Sequence, residues 1–276
     1  MPELPEIETI CRDLNIKFLK QEIITVNVRI SELRYPIPKN IHSILLGQAI
    51  KKISRRGKYI LLKTRIGVLI IHLGMSGTLQ IKMKNHLITK HEHFSIEFSN
   101  KLTLCYSDPR RFGAILWTTN DPLRHALLKN LGLEPLTEKF TAEYLYAKSK
   151  IKKYSIKLLI TDNKIVVGIG NIYANEILYT SGINPFQKAY TISLCDYKKI
   201  VKIIKEILNQ AISHRGTTIK DYTDCFGQHG SFQNKLKIYN RSGRFCYKCK
   251  NKLITTRIRQ RLTVFCPKCQ QLKLSF

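Results

Sequence analysis

The sequence predicts an α+β multidomain protein: an N-terminal helix with a β-sandwich, a helical second domain and a small C-terminal cysteine module. Three observations carry this. Ile7, Ile10, Cys11, Leu14 and Phe18 recur at three- and four-residue spacing, the period of an amphipathic helix over 4–20. From about Ile23 to Trp117 short β-rich segments follow one another, broken by polar or glycine turns. From about 140 to 212 the texture turns helical, and four cysteines close the chain as two Cys-x2-Cys pairs.

The first eight residues, MPELPEIE, place Glu3, Glu6 and Glu8 in or before the first helical turn, where the helix dipole favours anions. Pro5 suits a helix start. Pro2 stands too early to serve only that purpose. The strand candidates are ITVNVRI, KYILLKT, GVLIIHL, HFSIEFS, KLTLCYSD and FGAILWT, with Ser99-Asn100 as a hairpin tip. Their density suggests a sandwich or barrel. Asp121–Leu136 reads as helical and ends in the linker Leu-Gly-Leu-Glu-Pro. YKKIVKIIKEILNQAI is the clearest later helix, and a polar, Gly-rich stretch spans Gly216–Gly230. The boundaries expected are 2–132, 133–235 and 236–276.

Charge is the anomaly of composition. Against 19 Asp+Glu stand 47 Lys+Arg, a net +28, which predicts a polyanion partner, most often nucleic acid. A ribosome-associated or membrane-surface protein remains open on charge alone. No targeting or spanning segment is recognisable: the N-terminus is acidic, and the apolar run Val68–Leu73 is far too short to cross a bilayer. A cytosolic protein with no membrane partner is expected.

Cys246-x2-Cys249-x16-Cys266-x2-Cys269 has the spacing that gathers four thiolates around one tetrahedral Zn2+, a structural site because no position stays open for water. Cys11, Cys105, Cys195 and Cys225 are scattered and read as core or incidental. From Cys225 onward the fifty-two residues hold twelve Lys/Arg and no Asp or Glu. Arg257, Arg259 and Arg261 alternate and are expected on one face of a hairpin, suited to phosphates. A second basic cluster, KKISRRGKY, leads into a strand.

Gly168-Ile-Gly170-Asn171 opens a helix but lacks the third glycine of a dinucleotide fingerprint, Tyr173 standing there. It fits a single phosphate held by N–H groups at the turn. Ser181-Gly182 and Pro185 should close that helix. HLGMSG (72–77) and DPRRFG (108–113) set Met75, Arg110 and Phe112 beside glycines. Core packing is the ordinary explanation for Met75 and Phe112; a wedge entering a base stack is the other. His91-Glu-His93 lacks zinc-protease spacing and reads as surface.

Taken in order, PELPEIE, HLGMSG, DPRRFG, VVGIGNIYANE and QRLTVFCPKC resemble the bacterial formamidopyrimidine-DNA glycosylase family over essentially the whole length. The resemblance implies a β-sandwich with its N-terminal helix, a helix-two-turns-helix domain and a zinc finger. It implies a bifunctional glycosylase/AP lyase of base excision repair, acting as a monomer on damaged double-stranded DNA in the bacterial cytosol. Pro2, freed by loss of Met1, would be the nucleophile and Glu3 the general acid/base, with Glu6 supporting them. Lys58 would contact the lesion phosphate and assist catalysis, and Lys157 would stand at the active site. Asn171 and Arg261 would grip the flanking phosphates, Arg261 also counting as catalytic, and His91 would be a further DNA contact. Met75, Arg110 and Phe112 would fill the void left by the everted base, and 216–230 would cap it. Lys250 departs from the pattern, standing where the family often has glycine. The alternatives are an endonuclease VIII-type glycosylase for oxidised pyrimidines and a non-catalytic zinc-finger DNA-binding paralogue.

Overall fold

A computed structural model describes residues 2–220 and 222–273; Met1 lies outside the described residues. The chain forms two compact units, Met1–Asn130 with Ile212–Gln233, and Leu131–Ala211 with Asn234–Phe276. Residues 212–233 fold with the N-terminal unit, and the cysteine module folds with the helical one.

The first unit begins with α1 (Leu4–Phe18). Glu3 is its N-cap: the Glu3 N–H donates to Glu6 Oε2 (2.7 Å) and the Glu3 carboxylate accepts from the Glu6 N–H, a reciprocal capping box. Ile7, Ile10, Cys11, Leu14 and Phe18 are buried, as their period requires. There follow β1 (Ile23–Val28), α2 (Ile41–Leu45), β2 (Lys52–Arg56), β3 (Tyr59–Lys63), β4 (Val68–His72), β5 (Thr78–Met83), β6 (Glu92–Phe98), β7 (Leu102–Ser107) and β8 (Ala114–Thr118). They build two antiparallel four-stranded sheets, ordered β1-β6-β7-β5 and β2-β3-β4-β8. Phe94, Ile96 and Leu104 of one sheet share a core with Ile60, Leu62, Leu69 and Ile71 of the other and with the stripe of α1. This is a sandwich, not a closed barrel.

Two strands, β2 and β5, were not expected. Both are sheet edges, and KISRR and TLQIKM carry the charges that keep edges from pairing further. The helical reading of Asp121–Leu136 is corrected. Only a 3-10 turn, Pro122–Arg124, forms there, capped by Asp121 Oδ1 accepting from the Leu123 N–H (2.9 Å). Gly132 and Pro135 oppose any longer helix.

The 212–233 segment is tied to α1 by charge. Arg215, at φ +58°, donates from Nη2 to Asp13 Oδ1 (2.8 Å) and Oδ2 (2.7 Å), and from Nε to Asp224 Oδ2 (2.7 Å). Both carboxylates are fully buried. The Cys225 carbonyl accepts from the Ile81 N–H (2.8 Å) on edge strand β5, and the Tyr222 hydroxyl donates to the Arg215 carbonyl (3.2 Å).

The second unit holds α3 (Ala142–Lys150), α4 (Ile156–Ile160), α5 (Asn171–Ser181), all but the last two residues of α6 (Leu194–Ser213), β9 (Ile254–Ile258) and β10 (Arg261–Phe265). Gly182, left-handed at φ +72°, stops α5 as its sequence requires. On α6, Tyr197, Ile200, Ile204, Leu208 and Ala211 form the buried face. Glu176 of α5 is buried, and its carboxylate accepts the N–H groups of Lys237 (2.8 Å), Ile238 (2.9 Å) and Tyr239 (2.8 Å), fixing the start of the cysteine module.

Replacing Arg215 by alanine should therefore expose two buried carboxylates to each other. Burial raises the Asp13 pKa even with Arg215 beside it, and the Asp224 charge adds to the rise. A carboxylate raised in the fold contributes most stability below its ordinary pKa and loses it as pH rises. Without Arg215 that loss deepens. We expect Arg215→Ala to cost about 3 kcal/mol near pH 8, the low end for a broken buried pair because the Arg215 side chain is partly exposed. The deficit should shrink toward pH 5, as measured by urea unfolding at both pH values.

Candidate active site and nucleic-acid interface

In the first unit the register of the sandwich gathers several candidates at one end of the sheet β2-β3-β4-β8. Arg56 pairs with Tyr59, Tyr59 with His72, and His72 with Ala114. The β2–β3 turn with Lys58, the turn after β4 with Met75, and the turn before β8 with Arg110 and Phe112 therefore emerge together. Helix α1 runs antiparallel to β2. Asn15 Nδ2 donates to the Ile53 carbonyl (3.1 Å), the Cys11 thiol to that of Ser54 (3.6 Å), and Glu8 Oε2 meets Arg55 Nε (3.1 Å). Extending this ladder one turn places Pro2 and Glu3 toward the Arg56–Lys58 end.

Pro2, Glu3 and Glu6 are buried at the start of α1. Glu6 is the hub: besides the Glu3 N–H at Oε2, its Oε1 accepts the Thr217 N–H (2.7 Å). A Cβ on Gly216 (φ +85°) would stand 2.8 Å from Glu6 Oε1, so this backbone needs glycine on both steric and conformational grounds. Within 216–230, Thr218 Oγ1 accepts the Gly230 N–H (2.9 Å) and donates to the Tyr222 carbonyl (2.9 Å).

Met75 and Phe112 are 45% and 46% exposed, so core packing does not account for either. The Arg110 guanidinium lies 4.8 Å from the Phe112 ring centroid. Asp108, fully buried, holds their two turns together: its carboxylate accepts from Ser76 Oγ (2.7 Å), the Gly113 N–H (2.8 Å) and the Tyr106 hydroxyl (3.2 Å). Gly74 permits the close approach, since a Cβ there would stand 2.5 Å from the Phe112 carbonyl carbon. The half-buried His91 joins the same turn, its carbonyl accepting the Asp108 N–H (3.1 Å). His72 is driven down to about 4 by burial, then by the Lys58 and Arg34 charges. It is thus neutral, and its Nδ1 accepts the Gly74 N–H (3.0 Å). Sequence reasoning quoted Asp108 and His72 within their motifs but missed what they do.

In the second unit Asn171 is the first residue of α5, behind Gly168 (φ +85°) and the N-cap Gly170. Asn175, one turn on, donates to the Asn171 carbonyl (2.6 Å) and accepts the Val264 N–H of β10 (3.0 Å). Lys157 is buried, donating to the Leu262 carbonyl (2.9 Å) and Thr263 Oγ1 (2.8 Å). These contacts bring β10, and with it the exposed Arg261, to the N-terminus of α5. One expectation is corrected. Arg261 pairs with Ile258 and Arg257 with Leu262, so Arg257 and Arg261 lie on opposite faces. Arg259 sits in the two-residue turn with Gln260, at φ +43° and +62°. Strict alternation failed because the hairpin turns inside the arginine run, without the Asn-Gly that usually marks such a turn.

The four cysteine sulfurs lie within 4.8 Å of one another, with Cys249 and Cys266 3.3 Å apart and Cys246 and Cys269 3.9 Å apart. Four thiols at this spacing could hold a metal. The Cys249 thiol is lowered to about 6, chiefly by the Asn251 backbone N–H. Lys250 follows it at φ +62°, its N–H donating to the Cys246 carbonyl (3.0 Å).

Comparison with known proteins agrees with this geometry. The family model for the formamidopyrimidine-DNA glycosylase N-terminal domain matches residues 1–115, and that for the H2TH domain of the same family matches 131–223. A formamidopyrimidine-DNA glycosylase of Idiomarina loihiensis is 46% identical over 271 residues, covering 98% of this chain and all of that one. A mutant Lactococcus lactis Fpg solved with DNA containing Fapy-dG superposes with a TM-score of 0.91 at 31% identity, covering 98% of this chain and 100% of that chain. The wild-type Lactococcus lactis protein solved with DNA containing an oxidised pyrimidine gives 0.90 at 31% identity, with the same coverage.

The left-handed Lys250 generates a prediction for the cysteine module. A non-glycine residue there costs about 1 kcal/mol. Lys250→Gly should slow metal loss to a chelator several-fold, whereas Lys250→Ala, which keeps the Cβ, should not. Equal rates for all three proteins would contradict this.

Proposed function

Since the chain belongs to the formamidopyrimidine-DNA glycosylase family and is a base-excision-repair DNA glycosylase of that type, we propose that it excises oxidised purines from duplex DNA through a Schiff base on Pro2 and then cleaves the strand. The observation that carries this is the start of α1. Pro2 precedes a buried Glu3–Glu6 capping box, toward the same sheet end as Lys58 and the Met75 and Arg110–Phe112 turns.

The chemistry follows from that placement. An α-amino group has a pKa of about 7.7–8.0, and the positive end of a helix dipole disfavours its protonation, so a usable fraction is the free amine. Its lone pair attacks C1′ as the C1′–N bond breaks and the base leaves with a proton. Opening of the sugar ring gives a protonated O4′ and an iminium, with Glu3 exchanging protons at the sugar. The iminium acidifies C2′–H, so β-elimination expels the 3′ phosphate. Loss of the C4′ proton then expels the 5′ phosphate, leaving a one-nucleotide gap. Glu6 keeps Glu3 and the 216–217 backbone in register. Lys58 supplies positive charge to the lesion phosphate.

Met75, Arg110 and Phe112 are exposed on turns made rigid by Asp108, as a wedge that replaces an everted base requires. Arg110 faces the orphaned base and favours cytosine by hydrogen bonding. His91, on the same turn, contacts DNA. Asn171 and Arg261 hold flanking phosphates, and the buried Lys157 supports Arg261 by anchoring β10. The cysteine cluster holds one structural Zn2+, which orders the module that carries Arg261. The protein acts as a monomer in the cytoplasm, and among the described residues no helix is long and apolar enough to cross a membrane.

Borohydride trapping tests the reading. The processed protein should form a covalent adduct with a duplex carrying 8-oxoguanine opposite cytosine, faster than with one carrying an oxidised pyrimidine. Pro2→Gly should lose base excision by 100-fold or more while duplex binding changes little. No adduct on either duplex would overturn the enzyme mechanism. Preference for the pyrimidine would select the endonuclease VIII-type reading.

A further inference from the structure

On the outer face of the sheet β1-β6-β7-β5 three side chains of different chemistry converge. Leu104 and Tyr106 of β7 point into the core, so Cys105 between them points outward. It is nonetheless buried, because the segment after β5 folds His86 over it. His86 Nε2 lies 2.9 Å from Glu92 Oε2 and 3.3 Å from Cys105 Sγ. The three donor atoms fall within 4.8 Å of one another.

The hydrogen bonding of His86 defines what this cluster needs. Its Nδ1 lies 3.2 Å from the Met83 carbonyl and its Nε2 faces a carboxylate, two acceptors for a neutral ring that has one N–H. With that proton on Nδ1, the ring presents the Nε2 lone pair to the Glu92 carboxylate at 2.9 Å, lone pair against lone pair. Something positive must lie between them: a second proton on the ring, or a metal cation. The proton alone would leave the Cys105 thiol, which also reaches the Thr103 carbonyl (3.9 Å), as a mere neighbour; a cation would use it. A ring N–H held by a backbone carbonyl, with the other nitrogen facing a carboxylate and a sulfur, is how ligating histidines are oriented.

We propose that His86, Glu92 and Cys105 form a second metal site, taking one divalent cation of the Zn2+ class with a fourth position open to solvent. The dimensions suit it. Zn–N, Zn–O and Zn–S bonds of about 2.0–2.3 Å give tetrahedral edges of about 3.3–3.8 Å, a few tenths of an ångström beyond the two separations from His86 Nε2, 2.9 Å and 3.3 Å, and the third edge is within 4.8 Å. Charge also balances: a thiolate and a carboxylate neutralise the cation, and the thiol and ring protons pass to solvent. Lys82 Nζ, 3.3 Å from Glu92 Oε2, gives up that oxygen; its side chain is 21% exposed and can swing outward. Arg29 Nη1 lies 3.2 Å from Oε1, in a geometry that makes no hydrogen bond, and stays with that oxygen. His86, the most accessible of the three, marks the open side. The occupied site staples the segment between β5 and β6, which carries His91.

The test is a metal count on the full-length protein. After loading with excess Co2+ and dialysis, the wild type should retain two equivalents, while Cys105→Ala and His86→Gln should each retain one. The absorption of the four-thiolate site should persist in both variants. His86 is partly exposed, so His86→Gln remains decisive if Cys105→Ala fails to fold. One equivalent in the wild type would overturn the site and leave an imidazolium–carboxylate pair. Two equivalents in His86→Gln would equally overturn it, by placing the second ion elsewhere.

Discussion

The buried carboxylate of Glu6 is the constraint on which the α1 end of the first unit depends. One oxygen accepts the N–H of Glu3 and the other that of Thr217, each at 2.7 Å. A carboxylate desolvated to this degree is tolerable only when its lone pairs are met, and here backbone N–H groups meet them. In return the start of α1 and the glycine turn at 216 are held against one another, although 211 residues separate the partners. The positions of Pro2 and Glu3 follow from this arrangement.

The same economy recurs through the chain. With 19 acidic residues against 47 basic ones, acids are scarce, yet Glu3, Glu6, Asp13, Glu92, Asp108, Glu176 and Asp224 are all buried. Glu6, Asp108 and Glu176 accept backbone N–H groups at turns, and Asp13 and Asp224 share one arginine. The negative charge is thus used inside to fix loops, while the surface stays basic for a polyanion. Burial opposes the ionisation of Glu176, and three backbone N–H groups oppose that effect in turn. An arrangement of this kind sets geometry more than it adds stability.

Much of this was legible in sequence because the chemistry is local. A proline before a capping box, methionine and phenylalanine beside glycines, and paired Cys-x2-Cys knuckles each fall within a few residues. What escaped is non-local or breaks a local rule. The edge strands β2 and β5 were hidden by their own charges. The Arg259-Gln260 turn lacks glycine and so reversed the expected face of the arginines. Asp108 was visible as a letter in DPRRFG, but its bond to Ser76 depends on sheet pairing. The union of residues 212–233 with α1 rests on Asp13 and Arg215, which no periodicity links. The cluster of His86, Glu92 and Cys105 has no spacing rule at all.

The central claim is that the nitrogen of Pro2, and no lysine, forms the covalent bond to DNA. Mass mapping of the borohydride-trapped, N-terminally processed chain tests it directly. The sugar adduct should lie on the N-terminal peptide, at the Pro2 nitrogen, and a chain that keeps Met1 should yield none. An adduct on the Nζ of Lys58 or Lys157 would contradict the account.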